Sequence, residues 1–168
     1  VPAGMPLGKT TTIVRHNVFA KSGNSATGGL ARPNLLVGDV PPSGLGSTNG
    51  FAIYGNFFYQ NPTEALFQGE GNVAFYGNVL LNTAGSAIAI QPHNDRPRRV
   101  RVFDNTIVAR DSGVQFQGVD DAFVQFVARN AIFASQPLAG RDDGGNLVGS
   151  QASGSRYLVA PDRAPGDG

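Results

Sequence analysis

Residues 73–80 read Val73-Ala74-Phe75-Tyr76-Gly77-Asn78-Val79-Leu80. Apolar side chains alternate at Val73 and Phe75, a Gly-Asn pair interrupts them, and an apolar residue returns at Leu80. That is the pattern of one strand entering a sharp turn and another leaving it. The frame recurs around Arg15-His16-Asn17-Val18-Phe19, Tyr54-Gly55-Asn56-Phe57-Phe58, Phe103-Asp104-Asn105-Thr106-Ile107 and Ala128-Arg129-Asn130-Ala131-Ile132. Successive asparagines lie 39, 22, 27 and 25 residues apart, so all intervals but the first fall in one narrow band. Around the three central asparagines the paired apolar positions are Phe51/Ile53, Val73/Phe75 and Val100/Val102, answered by Phe58, Leu80 and Ile107. A third apolar run follows each turn, at Ala65-Leu66-Phe67, Ala87-Ile88-Ala89-Ile90 and Gly113-Val114-Gln115-Phe116. Three short strands per repeat of this length make one coil of a solenoid.

With this pattern the chain resembles the right-handed parallel β-helix, or pectate-lyase-like, superfamily, whose coils carry a short Asn-bearing turn between two of their three strands. The resemblance covers roughly residues 11 to 135. It implies an all-β solenoid of about five to six coils, with a lead-in over residues 1–10, coils over 11–160 and a flexible C-terminal tail over 161–168. Asn tolerates a left-handed backbone, and its amide reaches the Asn one coil away across a strand spacing of about 4.8 Å, so the five asparagines are expected to form a structural ladder. In the fifth repeat Gln125 and Val127 occupy the paired positions, which predicts a bulge or a fraying end. Leucine-rich and hexapeptide solenoids do not fit the consensus or period, and a β-sandwich would need hairpin turns at regular intervals.

Composition supports many short strands: 23 Gly, 11 Pro and 11 Phe in 168 residues, with only 15% charged residues. No cysteine is present, which removes disulfide staples and Cys-ligated metal. A net charge of +1 gives no field to steer the whole protein to nucleic acid, and no apolar stretch approaches the ~20 residues of a membrane span.

The long first interval is read as a loop at about residues 32–50, rich in Pro, Gly and Ser. If the coils stack in register, the loops after each third strand share one corner: Arg32 and Asn34, then Glu70, then Gln91 through Arg98, then Asp120-Asp121. Charge concentrates there. The functional reading is a cleft for an acidic polysaccharide, bound or cleaved by β-elimination. Arg32, Asn34, Asp95 and Arg98 would bind substrate, with Arg32, Arg96 and Arg98 neutralising its carboxylates, and Lys21, Glu70 or His93 would transfer the proton. The plainer reading is a solvated loop whose charges satisfy one another. Tyr54, Tyr76 and Phe103 should point outward as an aromatic stripe, and sugars stack on such faces, as like residues in a β-helix stack on each other. Arg99 and Arg101 should flank inward Val100 and face solvent.

Several motifs fail on spacing. Gly8-Lys9-Thr10 lacks the frame of a phosphate-binding loop. Asp95-Arg96-Pro97-Arg98 resembles the Arg/Pro segment of pectate lyases, but no dense Asp cluster lies beside it. No metal site is assigned. Calcium stays open as a cofactor, with Asp142-Asp143-Gly144-Gly145-Asn146 as oxygen-rich residues that lack EF-hand spacing and read first as a turn. The expected partners are a polysaccharide and, over the first coil, a neighbouring subunit or preceding coils, because parallel solenoids need caps. A secreted, periplasmic or surface location follows from such a substrate. The alternative function is a non-catalytic structural or adhesive β-helix of a surface or fibre protein.

Overall fold

The computed structural model describes residues 9–22 and 31–150. The last ten residues of the expected coils, 151–160, and the tail over 161–168 lie outside the described residues, as does most of the lead-in over 1–10.

Among the described residues, sixteen short strands form a parallel β-helix. Coil one holds β1 (Thr11–Arg15), β2 (Val18–Ala20) and β3 (Leu35–Val37), and coil two holds β4 (Gly50–Tyr54), β5 (Phe57–Tyr59) and β6 (Phe67–Gly69). Coil three comprises β7 (Gly71–Tyr76), β8 (Val79–Asn82) and β9 (Ile88–Ile90), and coil four β10 (Pro97–Phe103), β11 (Thr106–Ala109) and β12 (Ser112–Phe116). Coil five adds β13 (Phe126–Ala128), β14 (Ala131–Phe133) and β15 (Gln136–Ala139), and β16 (Leu147–Gly149) begins a sixth. Every third strand pairs in parallel, giving a first sheet β1-β4-β7-β10-β13, a second β2-β5-β8-β11-β14-β16 and a third β3-β6-β9-β12-β15. The fold is the all-β, three-strand coil that the repeat predicts.

Alternation decides which residues enter the core. Ile53, Phe75, Val102 and Val127 align across the first sheet, and Phe58, Leu80, Ile107 and Ile132 across the second, all fully buried. Aromatic rings stack between coils inside the tube, Phe19 on Phe58 at 4.8 Å and Phe67 on Phe75 at 4.2 Å between centroids. Removing such a ring would cost about 3–5 kcal/mol through lost burial and the cavity left behind.

The asparagine turns form a continuous ladder. Asn56 Nδ2 donates to Asn78 Oδ1 at 3.0 Å, Asn78 to Asn105 at 3.2 Å and Asn105 to Asn130 at 2.9 Å, while each Oδ1 also accepts the preceding asparagine's backbone N–H. Asn17 joins at one end and Asn146, a sixth member, at the other. The left-handed residue is not the asparagine itself. It is the residue before, His16, Gly55, Gly77, Asp104, Arg129 or Gly145, each with φ between 55° and 68°. The turn thus separates its two demands, backbone strain at one position and side-chain hydrogen bonding at the next.

Two expectations need correction. The loop at 32–50 contains β3 near its start, so the insertion in coil one is split between the two sides of that strand. The fifth repeat neither bulges nor frays: Gln125 points inward, buried, donating to Pro97 O and accepting from Asp120 N, and Val127 fills the core beside it. The register shift falls instead in β10, between Pro97 and Val100.

Candidate functional site

The expected charged corner divides into two. Arg32 and Asn34 precede β3 and lie where the second sheet turns into the third. Lys21 Nζ donates to Arg32 O at 2.6 Å, and Asn34 Nδ2 donates to Phe19 O, so these three residues share that turn. Asn61 joins them through Nδ2 bonds to Arg32 O and Asn34 Oδ1, and its own N–H meets Asn82 Oδ1. Asn34, Asn61 and Asn82 form a second, shorter asparagine column; the signal for it in the sequence is the place of Asn61 and Asn82, five and four residues beyond Asn56 and Asn78.

Glu70, His93, Asp95, Arg96 and Arg98 do come together, at the turn from the third sheet to the first. Glu70 is 1% exposed, and its Oε2 accepts the backbone N–H groups of His93, Asn94 and Asp95 at 2.8–3.0 Å. Its Oε1 is buried without a hydrogen-bond partner among the described residues. Arg98 is buried too. Its guanidinium pairs with Asp95 Oδ2 and donates to Val40 O, Pro41 O and Ser47 O at 2.9–3.2 Å. Asn72 Nδ2 holds the same excursion through Ser47 O and Asn49 O. Close packing of coils one and two at this corner depends on Gly38 and Gly71, with φ of 115° and 58°; a Cβ on either would collide with the carbonyl of Glu70 or of Gly38. Of these five residues, Arg96 and His93 are the exposed pair. Arg96 pairs with Asp120 at 3.2 Å and lies over the Phe123 ring at 5.1 Å. The corner's hydrogen-bonding capacity is therefore mostly spent on its own loops.

Tyr54, Tyr76 and Phe103 form the outward stripe, with centroids 5.0 and 4.9 Å apart and interplanar angles of 14° and 7°. Their faces cover one another, and Arg129 caps the far side of Phe103 at 5.5 Å. The stripe offers ring edges and the tyrosine hydroxyls to a ligand; the inner ring faces are occupied. Arg15 Nη1 reaches Tyr54 Oη at 3.4 Å.

Beside that stripe lies the feature best suited to a ligand. The outer face of the first sheet carries Gly50, Ala52 and Ala74 on its central strands, and these small residues floor a trough of about 380 Å³. Lys9 and Thr11 stand at one end, Arg99 and Arg101 at the other, with Thr48 among the remaining lining residues. Among the described residues, no Asp or Glu lines it. Alternation explains the arginines: Val100 is buried between them, so both point outward on the same side of β10. Three strand steps separate the two cationic ends, about 14 Å at ordinary sheet spacing. Sequence reading placed Arg99 and Arg101 outward but gave them no site, because the alanine floor acquires meaning only when three coils are stacked.

Among the described residues, no group of three or more His, Asp or Glu is placed to hold a metal ion. Asp142 and Asp143 are engaged by protein donors. Asp142 Oδ1 accepts Gly144 N and Asn146 Nδ2, which hold its carboxyl below the usual range, and Asp143 takes Arg141 and Val127 N. On the solenoid's far side the Arg110 guanidinium lowers the Asp111 carboxyl by hydrogen bonding. Comparison with known proteins leaves the fold and geometry as the guides to function: no family model, curated protein or solved structure matches this chain.

Proposed function

We propose that this protein binds an acidic polysaccharide along the outer face of its first sheet, as an extracellular β-helix of the pectate-lyase-like type. The observation that carries the proposal is the trough itself: Gly50, Ala52 and Ala74 in its floor, cations at both ends, and no carboxylate among the described residues that line it. A flat sugar chain needs a floor without side-chain obstruction, and arginine binds carboxylate or sulfate through paired N–H donors. Tyr54 and Tyr76 follow Ala52 and Ala74 by two residues on the same outward face of the sheet, beyond the trough's lining. Binding is favoured over cleavage because the residues suited to β-elimination lie apart. Lys21 and Arg32 occupy one corner, Glu70, His93, Arg96 and Arg98 another, and Glu70 and Arg98 are buried.

Electrophoresis through gels containing polygalacturonate, alginate or chondroitin sulfate tests this. Retardation by at least one polymer is expected, weakening as salt rises because the contacts are exposed and screened. The double variant Arg99→Ala/Arg101→Ala should bind about tenfold more weakly, a loss of ~1.4 kcal/mol, with unchanged thermal stability. No retardation, or retardation indifferent to the double substitution, would remove the trough as the site. A growing ultraviolet absorbance from an unsaturated sugar product would restore the lyase reading.

A further inference from the structure

The outer face of the second sheet is of opposite character to the trough. Val18, Phe57, Val79, Thr106, Ala131 and Leu147 align as one outward row across six strands, and Tyr59, Leu81, Val108 and Phe133 form the next. Val18 is 71% exposed, Val79 47% and Leu147 63%. Among the described residues, no strand of this sheet contains a charged side chain. At Tyr59 the second row borders a hollow of about 590 Å³, with Ala20, Pro62 and Ala84 also in its wall. Contiguous apolar surface of this kind marks an interaction site.

The pattern of this face selects a second copy of the same chain as its occupant. Turned over about an axis parallel to the strands, the face meets itself with strand order reversed: β2 over β16, β5 over β14 and β8 over β11. Phe57 then lies against Ala131 of the second copy, large against small, and Val79 against Thr106. In the next row Tyr59 meets Phe133 of the second copy, at the edge of the hollow. Uncharged strands bring no like charges together when the face pairs with itself, and they carry no cations to draw it to an anionic membrane. The face measures roughly 30 by 15 Å at ordinary sheet spacings. Two copies together bury about 1,000 Å² with the walls of the hollows, the lower limit of a specific interface and less than a permanent dimer uses. The area therefore sets the pairing as weak.

We propose that two copies of this protein pair reversibly through the outer faces of their second sheets, about a two-fold axis parallel to the strands. The inference is independent of the polysaccharide trough, which lies on another sheet.

Sedimentation equilibrium of the full chain from about 1 µM to about 1 mM tests this. A monomer–dimer equilibrium is expected, and Val79→Lys, an outward substitution beside the axis, should weaken it at least about tenfold. A monomer throughout the range, or a dimer indifferent to Val79→Lys, would overturn the proposal. The absence of cysteine in the chain allows a second readout that does not depend on that variant. Val18→Cys and Leu147→Cys, both at outward positions, are mixed where the parent dimerises and treated with a short bismaleimide. In the proposed pair these two positions face each other across about 10 Å, whereas the two copies of either one are five strand steps apart, about 24 Å. The mixture should therefore cross-link at least about tenfold faster than either variant alone, reflecting a raised local concentration. Equal rates would remove the two-fold arrangement and with it the proposal.

Discussion

Two corners of this solenoid are built from polar side chains, and they use them differently. At the asparagine turn every coil repeats one residue, and each amide bonds to its counterpart in the next coil, so Asn78 is held by Asn56 on one side and Asn105 on the other. At the charged turn no residue repeats. Glu70 binds three backbone N–H groups of the next coil, Arg98 binds carbonyls of an excursion two coils back, and Arg96 meets Asp120 on the coil beyond. The first corner is a ladder that any added coil extends. The second is a set of single fastenings, each specific to one loop. Both keep most of their hydrogen-bonding capacity for the chain itself, which is why the surface most open to a ligand is a flat face between corners.

The largest expected effect falls on the ladder. Asn78→Ala takes the acceptor from the buried Asn56 N–H and removes both side-chain rungs that Asn78 makes, from Asn56 Nδ2 and to Asn105 Oδ1, and its amide's bonds to Ile53 O and Tyr76 O. Urea unfolding should show a loss of about 3–5 kcal/mol. A loss under ~1 kcal/mol would mean that the ladder follows the coils rather than holding them. Next comes Arg98→Met, which keeps the aliphatic stem but removes the guanidinium from Asp95 and three carbonyls. A cost of about 3 kcal/mol is expected, together with faster proteolysis within residues 38–49.

The last turn responds to acid. Because the Asp142 carboxyl is lowered by its bonds to Gly144 N–H and Asn146 Nδ2, its contribution is present above the usual carboxylate range and lost as pH falls through the lowered folded value. The protection factors of β16 amides, taken relative to intrinsic exchange at each pH, should therefore fall on acidification, and Asp142→Asn should flatten that dependence. The smallest effect is Arg96→Ala at the exposed rim, which should shift stability by less than ~1 kcal/mol. A larger loss would make the rim pair a fastening of the same kind as Arg98.

Much of this architecture was legible in the chain because the repeat imposes it. The spacing of Asn56, Asn78, Asn105 and Asn130 fixed the coils, and alternation fixed which of Val100 and Arg101 turned inward. Asn146 reads as part of a turn rather than of the ladder because it follows Asn130 by only 16 residues. β3 was hidden because the insertion in coil one falls on both sides of it, and this misplacement carried Arg32 and Asn34 to the wrong corner. The role of Arg98 was beyond sequence reading for a different reason: its carbonyl partners lie 51 to 58 residues away, in a loop with no repeat to fix its path.

That loop has a further consequence. Val40 O, Pro41 O, Ser47 O and Asp95 Oδ2 converge on one positive charge, the kind of oxygen cage that elsewhere surrounds a bound calcium ion. Here the charge is tethered to β10 by the arginine stem. A cage filled in this way has no dissociation constant: its occupancy is the same in a calcium-poor medium or in the presence of a chelator, and the excursion over residues 38–49 keeps its shape wherever the coils remain folded.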